Sequence, residues 1–131
     1  MALFCGIDII EVYRIRKALE KSNESFKNRV FTENEILYCE SKNASKYQSY
    51  AARFAAKEAV SKALGTGIGE GISWKDIEII NDSYNKPYTV LRGKARELYD
   101  RMNARSISVS LSHCKEYAVA QAVIEIEGDM K

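Results

Sequence analysis

An apolar run from Leu3 to Ile10 opens the chain and predicts a strand. Its alternation puts Leu3, Cys5, Ile7 and Ile9 on one face and Phe4, Gly6, Asp8 and Ile10 on the other. Asp8 is therefore a carboxylate set in an apolar strand, where it must be paired, hydrogen-bonded or bound to a cation. Val12 to Lys21 reads as a short basic helix. Thr32, with Glu35 three positions on, forms a capping-box pattern that starts a helix running through Glu40. The strongest helical pattern covers Ser45 to Leu64. It is rich in alanine (Ala51, Ala52, Ala55, Ala56, Ala59, Ala63), which favours helix and allows close backbone approach. Gly65 is placed to stop it. Beyond a glycine loop, 65–71, Asp76 to Asn81 and Pro87 to Leu91 predict a hairpin around the turn Asp82 to Lys86. Lys94 to Asn103 predicts a helix, and Ile107 to Leu111 with Tyr117 to Ile126 a second hairpin. Helices mixed irregularly with hairpins predict an α+β fold: a mainly antiparallel sheet packed by the long alanine-rich helix and shorter ones.

The length of 131 residues suits one domain, 1–131, with a real core. With 46% hydrophobic and 29% charged residues, the composition is that of an ordinary globular protein. No apolar run reaches the roughly 18–20 residues a membrane span needs, and the N-terminus carries Asp8 and Glu11 where a secretory signal is basic and apolar. A cytoplasmic protein without membrane contact is expected. Cys5, Cys39 and Cys114 are widely spaced, and buried reduced thiols are expected. The single His113 cannot build a multi-histidine site, so any metal would rest on carboxylates, which favour magnesium or manganese.

The net charge of +2 is too small to imply nucleic-acid binding. Locally, Arg14, Arg16, Lys17, Lys21, Lys27 and Arg29 face only Glu11, Glu20 and Glu24 between positions 11 and 30. On charge alone that reads as a solvated helix face. Glu58 and Lys62, four apart, share a helix face, as do Arg53 and Lys57 on another part of the surface. Glu58 and Lys62 form either a surface ion pair or a cation ligand beside an anion contact. The glycine loop is neither a Walker A loop nor a dinucleotide fingerprint, since no Lys-Ser/Thr closes it and it follows a helix. Ser112-His113 lacks a nucleophile elbow and an evident acid partner, leaving a structural, proton-transfer or phosphate-contact role for the histidine.

Four segments taken together resemble the holo-acyl carrier protein synthases, of the 4′-phosphopantetheinyl transferase family. They are Gly6 to Glu11, Arg53 to Gly67, Asp76 to Ile79 and Ser108 to His113, in matching order and spacing over nearly the whole chain. The 53–67 segment is the specific one. The resemblance implies transfer of 4′-phosphopantetheine from coenzyme A to a serine of apo-acyl carrier protein, in fatty acid biosynthesis. It implies Asp8 and Glu58 as ligands of Mg2+ (or Mn2+) and Lys62 as a phosphate contact. Arg53, Lys57, Gly65, Thr66, Pro87, Ser112 and His113 are implied to line the coenzyme pocket. Arg14, with Lys17 and Lys21, would dock the acidic carrier protein. A homotrimer with active sites between subunits is implied as well. Glu58 is the first choice of general base and Asp8 the second, with His113 a phosphate ligand. Asn85-Lys86-Pro87 departs from the family's Gly-Lys-Pro, but asparagine tolerates a left-handed turn. Cys114 replaces a common hydroxyl residue, which puts in doubt only a side-chain contact there. A transferase for peptide- or polyketide-synthase carriers is the nearest rival, although those chains are often twice as long. A nucleotide- or RNA-binding module is more distant, for want of an aromatic-and-basic recognition motif.

Overall fold

The computed structural model describes residues 1–22, 24–69 and 71–128. Strand β1 (Ala2–Glu11) runs straight into helix α1 (Val12–Lys21), followed by α2 (Ser25–Val30), α3 (Glu33–Glu40) and α4 (Lys46–Ala63). The hairpin β2 (Ile77–Asn81) and β3 (Pro87–Leu91), helix α5 (Gly93–Arg101) and the hairpin β4 (Ala104–His113) and β5 (Tyr117–Ile126) complete the chain. The fold is α+β, and every strand pairing is antiparallel. The strands form two sheets rather than one: a three-stranded sheet ordered β1-β5-β4, and β2 with β3. The predicted 107–111 strand extends to ten residues because β4 stays in register with β5 up to His113. Helix α2 has no counterpart in the sequence reading. Its N-cap makes no side-chain hydrogen bond, although the Phe26 N–H donates to Ser22 Oγ at 3.1 Å, and Val30 is buried.

Helix α4 lies across the sheet, with Ala55, Ala56, Ala59 and Ala63 buried against Ala120, Ala122 and Ile124 of β5. Small side chains let the helix descend onto the strands. The closest approach is at Gly6, where a methyl group would overlap the carbonyl oxygen of Ala59 and come within 2.8 Å of the Ala63 nitrogen. Gly6 therefore permits the contact that carries Asp8, two residues on, to the flank of α4. Gly6→Ala is expected to cost roughly 2–3 kcal/mol by forcing β1 off the helix, read as a lowered urea midpoint. A midpoint equal to wild type would mean that the strand does not sit this close.

Thr32 caps α3 in the predicted capping box with Glu35. Glu35 does more than cap, however: it is fully buried and pairs with Lys57 at 2.7 Å. Asn85 adopts φ of +63°, the left-handed turn its identity allows. The cysteine expectation holds only for Cys39. Cys5 and Cys114 are exposed, one on the open face of β1 and the other at the β4–β5 turn. Among the described residues, no helix is long and apolar enough to cross a membrane.

Candidate active site

Three of the predicted residues meet at the contact between β1 and α4. Lys62 reaches Asp8, its Nζ lying 3.1 Å from Asp8 Oδ1 and 3.0 Å from the carbonyl oxygen of Ile7. The surface ion pair considered for Glu58 and Lys62 is thus replaced by one across elements, Lys62 to Asp8. Asp8 is largely covered, with 18% of its side chain exposed, whereas Lys62 is half open at 50%. Burial pushes the Glu58 carboxyl above its usual range and the negative charge of Asp8 adds to this, with Lys62 opposing. A raised carboxylate beside a second one is a suitable proton acceptor. Gly65 and Thr66 follow one turn beyond Lys62. Gly65, at φ of +93°, turns the chain out of the helix while its N–H donates to the Lys62 carbonyl at 3.0 Å. Glu70 of the glycine loop lies outside the described residues.

Among the described residues, no group of three or more His, Cys, Asp and Glu gathers as a metal site. Two carboxylates with an open flank are nevertheless the donor set magnesium uses when a substrate diphosphate completes its shell. Asp8 and Glu58 fit that ion.

The other predicted residues lie elsewhere. At about 100° per residue, Arg53 and Lys62 face opposite sides of α4. Lys57 is not on the surface: it is fully buried, bonding to Glu35 and to the carbonyls of Trp74 (3.0 Å) and Ile77 (2.6 Å). Burial lowers its pKa, and the Glu35 carboxylate opposes that. The surface placement expected for Lys57 is therefore corrected: it serves as a buried junction. Arg53 is 4% exposed, again against the surface placement expected for it. Its guanidinium lies 3.9 Å from the centre of the Tyr38 ring and donates to Asn81 Oδ1, while its buried Nε finds no acceptor among the described residues. Arg53, Asn34, Tyr38, Asn81 and neighbouring β2 residues line a cavity of about 350 Å³. Sequence reasoning missed Asn34, Tyr38 and Asn81. Asn34 and Tyr38 stand four apart on one face of α3, which is too common a spacing to single them out. Pro87 begins β3 opposite Asn81.

Ser112 and His113 are both exposed at the end of β4. As strand neighbours they point to opposite faces, which excludes a serine–histidine pair. Asp8 aligns with Ala120 and Ala120 with Leu111. Strand β4 is thus two strand spacings from β1, roughly 10 Å. His113 lies a further two residues along, so one chain does not bring it to Asp8.

On α1, Arg14, Lys17 and Lys21 are exposed at spacings of three and four, a single stripe opposite the buried Val12 and Ile15. Arg16 pairs with Glu20 and Lys27 with Glu24, whereas Arg14, Lys17 and Lys21 form no ion pair among the described residues.

The chain matches the 4′-phosphopantetheinyl transferase superfamily over residues 4–122. It is 59% identical to a holo-[acyl-carrier-protein] synthase of Ruminiclostridium cellulolyticum, over 100% of this chain and 98% of that one. The crystal structure of the Helicobacter pylori holo-[acyl-carrier-protein] synthase in complex with coenzyme A superposes with a TM-score of 0.81. It is 37% identical, covering 92% of this chain and 99% of that one. The Bacillus anthracis synthase, in complex with CoA (3′,5′-ADP), gives a TM-score of 0.77 at 42% identity, over 96% and 100% of the two chains. By the match over residues 4–122 and the identity to relatives over the full chain, this chain belongs to the 4′-phosphopantetheinyl transferase superfamily.

Proposed function

We propose that this chain, acting as one catalytic unit, transfers the 4′-phosphopantetheine group of coenzyme A to a serine of apo-acyl carrier protein. The products are holo-acyl carrier protein and adenosine 3′,5′-bisphosphate, and the reaction serves fatty acid biosynthesis in the cytoplasm. One observation carries the reading: Asp8, Glu58 and Lys62 converge at the β1–α4 contact, two acids and a mobile cation beside open solvent. The named activity of the relatives agrees with it.

In the reaction the carrier serine oxygen attacks the phosphorus bearing pantetheine. A new P–O bond forms, the bond to the bridging oxygen breaks, and the nucleotide leaves with that oxygen. Asp8 and Glu58 would hold a magnesium or manganese ion, whose chemistry is to neutralise the diphosphate and polarise the phosphorus. Glu58, with its raised proton affinity, takes the serine proton, directly or through a water. Lys62 steadies the negative charge growing on the leaving oxygen. Gly65 and Thr66 bring backbone to the phosphates at the end of α4. Arg53, which lines the cavity beside the hairpin strand that Pro87 begins, would meet the nucleotide portion of a coenzyme held at a neighbouring subunit's acid pair. Ser112 and His113 contact phosphate from a neighbouring subunit.

That last assignment requires an assembly, and we read it as a homotrimer. The open face of the three-stranded sheet supports this, with Leu3 56%, Ile7 62% and Ile9 64% exposed beside Val119 and Val123. An apolar face of this kind is suited to burial against another copy. Light scattering on the purified protein is expected to give the mass of three 14.8 kDa chains. A monomer would leave the Ser112 and His113 roles without a route to the diphosphate.

The Arg14, Lys17 and Lys21 stripe suits an acidic carrier, where complementary charge mainly speeds association and sets orientation. Arg14→Ala is expected to raise KM for carrier protein severalfold and leave coenzyme A binding unchanged, with the wild-type carrier KM rising with salt. Salt-independent carrier binding would overturn the docking assignment.

The deciding experiment incubates apo-acyl carrier protein, coenzyme A and magnesium with the protein and weighs the carrier by mass spectrometry. Gain of the phosphopantetheine mass is expected. Modification of only a peptide-synthase carrier in a competition would favour the rival specificity, and binding without product would sink the transferase reading.

A further inference from the structure

Lys62 sits on Asp8, one of the two carboxylates that would hold a divalent ion. Its Nζ lies 3.1 Å from Asp8 Oδ1, and among the described residues it is tethered by one further bond, to the Ile7 carbonyl. Half of the lysine side chain is exposed, and its flexible four-carbon stem lets the ammonium swing at little cost. Asp8, by contrast, is mostly covered and sits on a strand pinned by the Gly6–Ala59 contact, so it cannot move away. An ammonium and a divalent cation held by the same carboxylate repel each other, so each weakens the other's hold on Asp8. A nearby diphosphate offers the displaced ammonium a new anionic partner.

We infer that Lys62 is a displaceable counter-ion of Asp8, which a divalent cation releases toward the coenzyme diphosphate, so that the lysine couples metal binding to coenzyme binding. This rests on Asp8 and Glu58 being the metal pair. It goes further by making one side chain serve two partners in turn. Each ligand frees what the other needs, and the coupling is reciprocal.

The test is Mn2+ binding followed by electron paramagnetic resonance, with and without coenzyme A, on wild type, Lys62→Met and Lys62→Arg. Lys62→Met is expected to bind Mn2+ alone about 5- to 20-fold more tightly than wild type, since the competing charge is gone. The factor by which coenzyme A tightens Mn2+ is expected to fall at least about fivefold in the same variant. Lys62→Arg keeps the charge and should stay near wild type in Mn2+ affinity. A lysine that merely contacts phosphate would weaken coenzyme binding equally with and without metal. Unchanged Mn2+ affinity or unchanged coupling in Lys62→Met therefore overturns the inference. Should Lys62→Met fail to fold, the Lys62 13Cε resonance of wild type decides: it must shift on Mg2+ titration, and a static resonance overturns the exchange. Failure of wild type to bind Mn2+ with or without coenzyme A is a separate result that removes the two-carboxylate site itself.

Discussion

Asp8→Ala and Glu58→Ala are each expected to retain less than a tenth of wild-type turnover at saturating magnesium, in the carrier mass assay. The expectation follows from the scarcity of ligands. Among the described residues no third acid, histidine or cysteine joins them to form a metal group. Two carboxylates must therefore carry the whole protein share of the coordination, and losing one halves it. Glu58 carries the additional task of accepting the serine proton, a function that contributes roughly 100- to 10,000-fold. Folding should survive both changes. Lys62, the cation left without Asp8, is half exposed and takes up water instead. A far-UV spectrum and melting curve matching wild type would establish that the loss is chemical. His113→Ala should be milder, because a phosphate contact at an exposed strand end shares its work with other donors. Retention of more than a tenth of the rate by either acid variant would remove the two-carboxylate mechanism.

Lys57→Met is expected to destabilise the fold by about 3–5 kcal/mol, although Lys57 touches nothing in the proposed reaction. The ammonium is the hub of a buried junction. It bonds to Glu35 at 2.7 Å and to the carbonyls of Trp74 and Ile77, thereby joining α4 to α3 and to the start of β2. Glu35 in turn accepts from the Thr32 N–H at 2.8 Å and the Ile79 N–H at 2.8 Å. Removing the lysine strands a carboxylate with no water to solvate it. Glu35→Leu should cost a similar amount, since it leaves the ammonium unpaired and two backbone donors unsatisfied. The double variant should lose less than the sum by at least about 1 kcal/mol, because the stranded charge of each single change disappears. Urea unfolding of the four proteins measures all of this. A cost under 1 kcal/mol for Lys57→Met would show that the junction is not dry.

The two predictions separate residues that look alike in sequence. Arg53, Lys57, Glu58 and Lys62 are all charged positions on one alanine-rich helix, and periodicity sorts them only into pairs. What lies against each pair is invisible along the chain. The Arg53–Lys57 side faces α3 and β2, where both side chains are buried, and the Glu58–Lys62 side meets β1 at Asp8. A lysine in a helical pattern is ordinarily a surface residue. Only the buried Glu35, which arrives from α3, overrides that rule for Lys57. The capping box revealed where α3 begins, but not that its glutamate also neutralises a lysine from another helix.

By itself, the sequence determined the α+β class, the family and every element but the short α2. Helix periodicity, caps, turn residues and a specific 53–67 segment are local properties, and local stereochemistry is carried by neighbouring residues. It also singled out Asp8, because an acid in an apolar strand demands a partner. Only the tertiary structure decided which partner. Gly6 lets β1 touch α4, and that contact rather than any spacing brings Asp8 to Lys62 across 54 positions of chain. The same packing took Lys57 out of reach of solvent and left His113 on the opposite edge strand of the sheet from Asp8. Proximity between distant segments depends on how closely backbones can approach, and side-chain volume at the crossing sets that distance.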